Sequence, residues 1–274
     1  MRNWPIGAAG LPAYSPPDHA RKTALLTAKA TFVTLLLLAG TGEAKTIAAQ
    51  LHASGIVAVA SLAGASRAPA PLAIPTRSGG FGGEAAFRTY LNDQAITAVL
   101  DATHPFAARI SQRTARVCAD LGIPYCQVLR PPWTPGPGDD WILIDHEEEA
   151  ASHIAPGSTV FLATGRQTLQ RFANLSACTI ISRQINVPDT PFPFPNGRFL
   201  PGDPPFSEQH EYDLFKSLGI DWLIAKNAGG PTPRTKLDAA RRLGIRVALV
   251  NRPPQPDAPR AESADEALAW VRAL

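Results

Sequence analysis

A chain of 274 residues, 45% hydrophobic and 18% charged, carries enough apolar material for a buried core and is long enough for one large domain or two ordinary ones. Its net charge of +3 is small and its Lys and Arg residues are scattered, which excludes a surface built for nucleic acid and leaves room for a local basic pocket holding an anionic small molecule. No apolar run approaches the ~20 residues of a membrane span, and Cys118, Cys126 and Cys178 show neither C-x-x-C nor metal-ligand spacing, so no metal is expected, and Cys118 and Cys126 read as core thiols in a reducing cytoplasm.

Residues 1–30 are rich in Ala and Pro without periodicity and read as a disordered N-terminal extension. Arg2, Arg21 and Lys22 ahead of Leu35–Ala39 imitate a secretory signal, but the apolar run is short and begins more than thirty residues into the chain. Thr34–Leu38 reads instead as a strand buried on both faces. Gly40-Thr41-Gly42-Glu43 follows as a tight turn, and Lys45–Leu51 spaces its apolar residues as a helix. Strand, Gly turn and helix put free N–H groups at a positive helix end, where a phosphate can sit. The G-x-G-x-x-G fingerprint is incomplete because Lys45 holds its third Gly position, so a plain strand–helix turn is an equal reading of this motif alone.

Ile56–Ala60 predicts the second strand, followed by a loop with Ser61, Ser66 and Arg67 and no acid. In a dinucleotide fold that composition suits a 2′-phosphate, and hence NADP(H); a solvated loop Arg is the other reading. Gly79-Gly80-Phe81-Gly82-Gly83 lets backbone approach a ligand closely, with Gly82 and Gly83 as candidates, and a helix is expected over Glu84–Asp93. Ile96–Leu100 predicts a strand that delivers Asp101, Thr103 and His104 to the carboxyl edge of the sheet, the ligand crevice of an open parallel fold. The helix Ala108–Leu121 places Arg109 and Arg113 on one face, Gly122 stops it, and Ile123–Leu129 gives another strand. Pro135-Gly136-Pro137-Gly138 is the clearest linker. It divides the chain into a cofactor-binding half, 31–136, and a substrate half, 139–274.

The second half repeats the first. Val160–Arg166 echoes the strand and Gly turn at Leu36–Gly42, and Trp222–Gly230 echoes the strand and loop around Asp101. Leu243-Gly244-Ile245 and Arg252-Pro253-Pro254 match Leu121-Gly122-Ile123 and Arg130-Pro131-Pro132, both at a shift of 122 positions. The expected fold is therefore α/β: two Rossmann-like parallel-sheet halves related by an internal repeat, with the active site in the cleft between them. Asn186–Pro205, dense in Pro and Phe, reads as a loop whose aromatics flank a large planar ligand, or as a surface loop pinned by prolines. Ser263–Leu274 predicts a closing amphipathic helix. Thr41, Arg67, His104 and Arg109 from one half, and Thr164, Arg166, Lys226, Asn227, Arg234 and Lys236 from the other, form an excess of cations and hydroxyls. That set suits phosphates on one side and a carboxylate-rich substrate on the other, and a hydride-transfer enzyme whose cofactor supplies the chemistry.

These motifs, in this order from Leu35 to Pro254, resemble the precorrin-6A reductase family: Leu-Leu-Leu-Ala-Gly-Thr-Gly-Glu-Ala, Ser61-Leu62-Ala63-Gly64, Gly79–Gly83, Asp101–Ala107, Thr164-Gly165-Arg166-Gln167, Lys226–Gly230 and Lys236–Arg241. Ala39 in place of a frequent Gly, Gly42 in place of a frequent Ser, and the extension before Thr31 are the departures. The resemblance implies NADPH-dependent reduction of one double bond of precorrin-6A to precorrin-6B, on the route to cobalamin. NADPH would lie on Gly40, Thr41, Gly42 and Glu43, with Ser61, Arg67, Gly82, Gly83, Asp101 and Thr103 about it. The macrocycle's acetates and propionates would meet Arg109, Thr164, Gly165, Arg166, Lys226, Asn227, Gly229, Gly230 and Lys236. His104 is the protein's candidate proton donor, with solvent or a substrate carboxylic acid as equal alternatives. A cobalt-bearing substrate, another polycarboxylate and a non-catalytic NADP(H)-sensing module stay open. The protein is expected to act as a monomer.

Overall fold

The computed structural model describes residues 33–64 and 71–274. The expected N-terminal extension, Ser66 and Arg67 lie outside the described residues.

The first sheet grows from β1 (Leu35–Ala39), whose five residues are all buried. Leu35 and Leu37 face one core and Leu36 and Leu38 the other, as a strand with helices on both sides requires. α1 (Gly42–Ala53) starts on Thr41, whose Oγ1 accepts from the Ala44 N–H at 3.3 Å. β2 (Ala58–Leu62), β3 (Thr76–Ser78), α2 (Glu84–Asp93), β4 (Ala98–Ala102), α3 (Ala108–Leu121) and β5 (Tyr125–Val128) follow. Strands β2 and β4 run two residues later than their apolar runs suggest, because parallel pairing with β1 places Leu38 against both Ser61 and Asp101. Asp101 is thereby a strand residue, not a loop residue.

The second sheet contains β6 (Trp141–Ile144), β7 (Thr159–Ala163), β8 (Thr179–Gln184), β9 (Gly197–Pro201), β10 (Trp222–Lys226) and β11 (Arg246–Val250), with α4 (Glu208–Leu218) and α5 (Thr235–Leu243) between strands. The helix expected after its Gly turn is a 3-10 helix, Arg166–Leu175. Leu169, Phe172 and Leu175 are its buried residues, and a spacing of three lines up on one face only at three residues per turn. The Pro/Phe segment is not a bare loop. β9 pairs parallel with β8, and Phe192 packs edge-on against Phe194 and Phe199, at 5.6 and 4.9 Å, over the second core. Its aromatics cover that core and do not stand free beside a ligand.

The chain closes with β12 (Arg260–Ala261) and α6 (Ala264–Arg272). Each sheet has six parallel strands, ordered β12-β5-β4-β1-β2-β3 and β6-β11-β10-β7-β8-β9, so the winding is the same in both and the internal repeat is structural. Gly122 and Gly244, one repeat apart, end α3 and α5 in the same left-handed conformation, with φ/ψ of 66/24° and 67/24°.

Near both ends of the second half, 139–274, the chain packs across the expected division. β12 pairs with β5 in the first sheet, and α6 sets Ala267, Leu268 and Val271 into the core that holds Ile47 and Leu51 of α1. The helix capped by Ser263 therefore covers the first half, because that is where an uncovered apolar sheet edge meets its apolar face. At the other end, Trp133, ahead of the Pro/Gly linker, is already buried in the core of the second sheet that holds Phe215 of α4 and Leu237 of α5.

Candidate active site

The carboxyl ends of the central strands carry the candidate residues, and in both sheets the winding reverses there, between β1 and β4 and between β7 and β10. On the first sheet, Gly40 and Gly42 are exposed, and a Cβ on Gly42 would meet nothing within 4 Å. Gly40 lies against the next turn: a Cβ there would sit 3.9 Å from Thr103 Cα and the His104 N–H. Thr41 donates its hydroxyl to the Ala102 carbonyl at 2.9 Å while capping α1, which locks the Gly turn to the end of β4. Asp101 is fully buried. One of its oxygens accepts from the Thr103 N–H (3.0 Å) and hydroxyl (2.7 Å), and the other from the Tyr125 hydroxyl (2.8 Å). Asp101, expected to touch a cofactor, instead shapes the Thr103–His104 turn, since no face of its carboxylate reaches the cleft.

At the end of β2, Ser61 accepts from Arg77 of β3 at 2.7 Å. Arg77 also donates to the Gly79 and Gly80 carbonyls and lies 4.1 Å above the Phe81 ring, and Phe81 is buried in the α2/α3 core. The glycine-rich segment is thus folded around a guanidinium, and Gly82 and Gly83, both exposed with positive φ, lead into α2.

On the second sheet, the register that pairs Ala225 with Ala163 puts Lys226 beside buried Thr164, with Gly165 (φ +83°) and Arg166 exposed next in the chain. Asn227, expected to meet the substrate, turns its side-chain amide to backbone. Its side chain accepts from the Trp133 N–H (2.8 Å) and donates to the Trp133 carbonyl (3.0 Å), so both its polar ends hold backbone. Gly229 and Gly230 are likewise packed around the two repeat-related arginines. A Cβ on Gly229 would lie 2.2 Å from the Pro131 oxygen and 2.4 Å from Arg252 Nη2, and one on Gly230 would lie 2.6 Å from Arg130 Cδ. Arg252 donates to the carbonyls of Asn227, Ala228, Arg130 and Pro131. Arg130 donates to the Ala228 carbonyl (3.2 Å) and grips both oxygens of Glu43 at 2.7 and 2.9 Å. Lys236, also expected at the substrate, turns its ammonium to the Pro233 carbonyl just ahead of α5, and burial draws its pKa down to about 8.

Across the seam, Phe106 from the first half packs on the second core, and Gln255 donates to the Pro105 carbonyl at 3.0 Å. His104 sits beneath this contact. Its Nδ1 accepts from the Phe106 N–H at 3.2 Å, which leaves the neutral ring's proton on Nε2. Burial, then the charges of Arg130, Lys226 and Arg252, lower its pKa from 6.5 to about 4, with only Glu43 opposing. The ring is thereby held uncharged toward neutral pH, and what His104, the candidate proton donor, presents there is its Nε2–H. The unfolded chain takes up a proton near 6.5 and the folded chain only near 4, so stability holds above that window. Between pH 6.5 and 4 it falls, by up to roughly 3 kcal/mol from this ring. Urea denaturation of His104→Gln should show a shallower acid slope than the parent; an identical slope would mean the ring titrates freely.

The family model "Precorrin-6x reductase CbiJ/CobK" matches residues 34–272. The chain belongs to the precorrin-6x reductase family. It is 38% identical over 239 residues to the precorrin-6A reductase of Rhodobacter capsulatus, covering 86% of this chain and 95% of that one. It is 40% identical over 245 residues to the precorrin-6A reductase of Rhodococcus erythropolis, covering 88% and 98%. A solved structure titled "CobK precorrin-6A reductase" superposes with a TM-score of 0.85 at 37% identity, covering 88% of this chain and 96% of that one.

In this precorrin-6x reductase the fold brings together the Gly turn, Thr103, His104, Thr164 and Lys226 at facing sheet edges. Arg109, in the first turn of α3, and Arg166 are exposed beside them. The residues that sequence reasoning missed are Arg77, Phe106, Arg130 and Arg252. The two last were visible as landmarks of the repeat, and an arginine recurring at the end of equivalent strands was the available signal. Nothing local marks Arg77, because only the parallel pairing of β3 with β2 brings it to Ser61.

Proposed function

We propose that the protein reduces one carbon–carbon double bond of metal-free precorrin-6A with NADPH, giving precorrin-6B. The observation that carries this reading is the open Gly turn on one sheet edge facing the basic edge of a second, same-wound sheet, in a chain whose relatives of 38–40% identity are precorrin-6A reductases. The residues fit NADPH. Gly40 and Gly42 leave space at the start of α1, Thr41 has capped only one of its N–H groups, and Glu43 is drawn aside by Arg130. Ser61 with Arg77 offers a hydroxyl and a cation where the adenosine ribose of such folds lies. When bound, the nicotinamide supplies a hydride. The chain's part is to orient and to balance charge: Arg109 and Arg166 take carboxylates of the macrocycle, and neutral His104 offers Nε2–H as a hydrogen-bond donor.

The test is spectrophotometric, with purified protein, NADPH and precorrin-6A. The expected result is NADPH loss matched one-to-one by a change in the tetrapyrrole spectrum. Turnover of the cobalt complex alone would reassign the substrate. NADPH binding with no turnover of either tetrapyrrole would leave the sensing module.

A further inference from the structure

The cleft holds several cations, and all but one at its centre are committed. Arg130 is paired with Glu43, and Arg252 spends its guanidinium on four carbonyls. His104 is neutral. Lys226 differs. It stands at the carboxyl end of β10 beside Thr164, and its Nζ lies 5.3 Å from the centroid of the Phe106 ring, itself 5.7 Å from the His104 ring. Among the described residues its ammonium has no hydrogen bond or ion pair. The charged groups that act on it are Glu147 and Arg171, which pair with each other at 3.2 Å, and His104 stands beyond Phe106. Thus a second-half ammonium points at the turn the first half presents, with only an aromatic face against it.

We infer that Lys226 delivers the proton that accompanies the hydride in the reduction. The inference rests on the precorrin-6A reading. One π bond of the macrocycle breaks. The hydride, from the reduced dinucleotide that leaves as its oxidised form, makes the new C–H bond at one end of the conjugated system. A proton from Lys226 Nζ adds to the other end, and the resulting amine regains its proton from water. Burial lowers the pKa of Lys226, Glu147 raises it and Arg171 lowers it again, with a net fall. That brings the ammonium nearer to the range in which proton transfer at neutral pH is efficient.

The competing role for a cleft lysine is a fixed positive charge for a substrate carboxylate. Arginine separates the two, since it keeps the charge and does not give up its proton. Lys226→Arg and Lys226→Met are compared with the parent by tetrapyrrole absorption titration, NADPH binding and single-turnover reduction across pH. Lys226→Arg is expected to bind precorrin-6A and NADPH within about threefold of the parent and to reduce it on the order of 10²-fold or more slowly. The parent's rate should decline at high pH as the lysine deprotonates, and that limb should vanish in both variants. Reduction by Lys226→Arg within threefold of the parent, or a loss confined to precorrin binding, would overturn the assignment and leave an anchoring charge. Unchanged NADPH binding by both variants shows that the fold is intact. Failure of the parent itself to oxidise NADPH would instead sink the precorrin-6A reading.

Discussion

Replacing Gly229 by alanine is expected to destabilise the protein by on the order of 4 kcal/mol, about 10 °C in melting temperature for a unit of this size. Two independent causes add. The residue has φ of +69°, where a side chain is strained, and the new Cβ would lie 2.2 Å from the Pro131 oxygen and 2.4 Å from Arg252 Nη2. The oxygen is backbone and cannot swing away. Arg252 can move only by giving up its Nη2 bonds to the Ala228 and Pro131 carbonyls, which leaves the Pro131 carbonyl without that donor. Gly219→Ala is the control: φ is +58°, yet a Cβ there meets nothing within 4 Å, so only the left-handed cost of about 1 kcal/mol is expected. Equal midpoint shifts for the two variants in thermal or urea denaturation would show that the packing around Arg252 is loose.

The second large effect is expected at Arg130. In Arg130→Met the aliphatic stem is kept and the guanidinium removed, leaving the Glu43 carboxylate without its bidentate partner and the Ala228 carbonyl without that donor. The two side chains are 12% and 22% exposed, so the loss is that of a largely buried pair broken on one side, about 3 kcal/mol. Burial alone raises the Glu43 pKa, and the hydrogen bonds and charge of Arg130 bring it below the usual carboxylate value. Without them the carboxyl titrates at higher pH, and above that pH it stands as a free negative charge in the first turn of α1. A dinucleotide phosphate at that helix end would be repelled, and NADPH affinity is expected to fall about tenfold near neutral pH. Adding Glu43→Gln to Arg130→Met should restore most of the affinity and only part of the stability. Fluorescence titration with NADPH checks the first and urea denaturation the second. Undiminished affinity in the single variant would place the phosphates away from this helix end.

Much of the architecture was legible from local pattern. Leu35–Leu38 could only be a strand covered on both faces, Ser263 marks the start of the last helix, and the recurrence of Leu-Gly-Ile and Arg-Pro-Pro at one spacing shows a duplicated fold. These features depend on neighbours close in sequence or on repetition, which the chain carries in itself. The ordered motifs likewise fix the family. What the chain alone could not decide is which side each polar residue takes. Asp101, Asn227, Gly229 and Gly230 look like ligand contacts, because polar residues and glycines at a strand end look alike whether they meet a ligand or another loop. The structure turns the first inward to Tyr125 and folds the other three around Trp133, Arg130 and Arg252, partners that for Asn227 and Gly230 lie roughly a hundred residues away in sequence. The return of β12 and α6 to the first sheet is decided in the same way. An amphipathic helix states that one face must be covered, and only the tertiary structure shows which sheet was left uncovered.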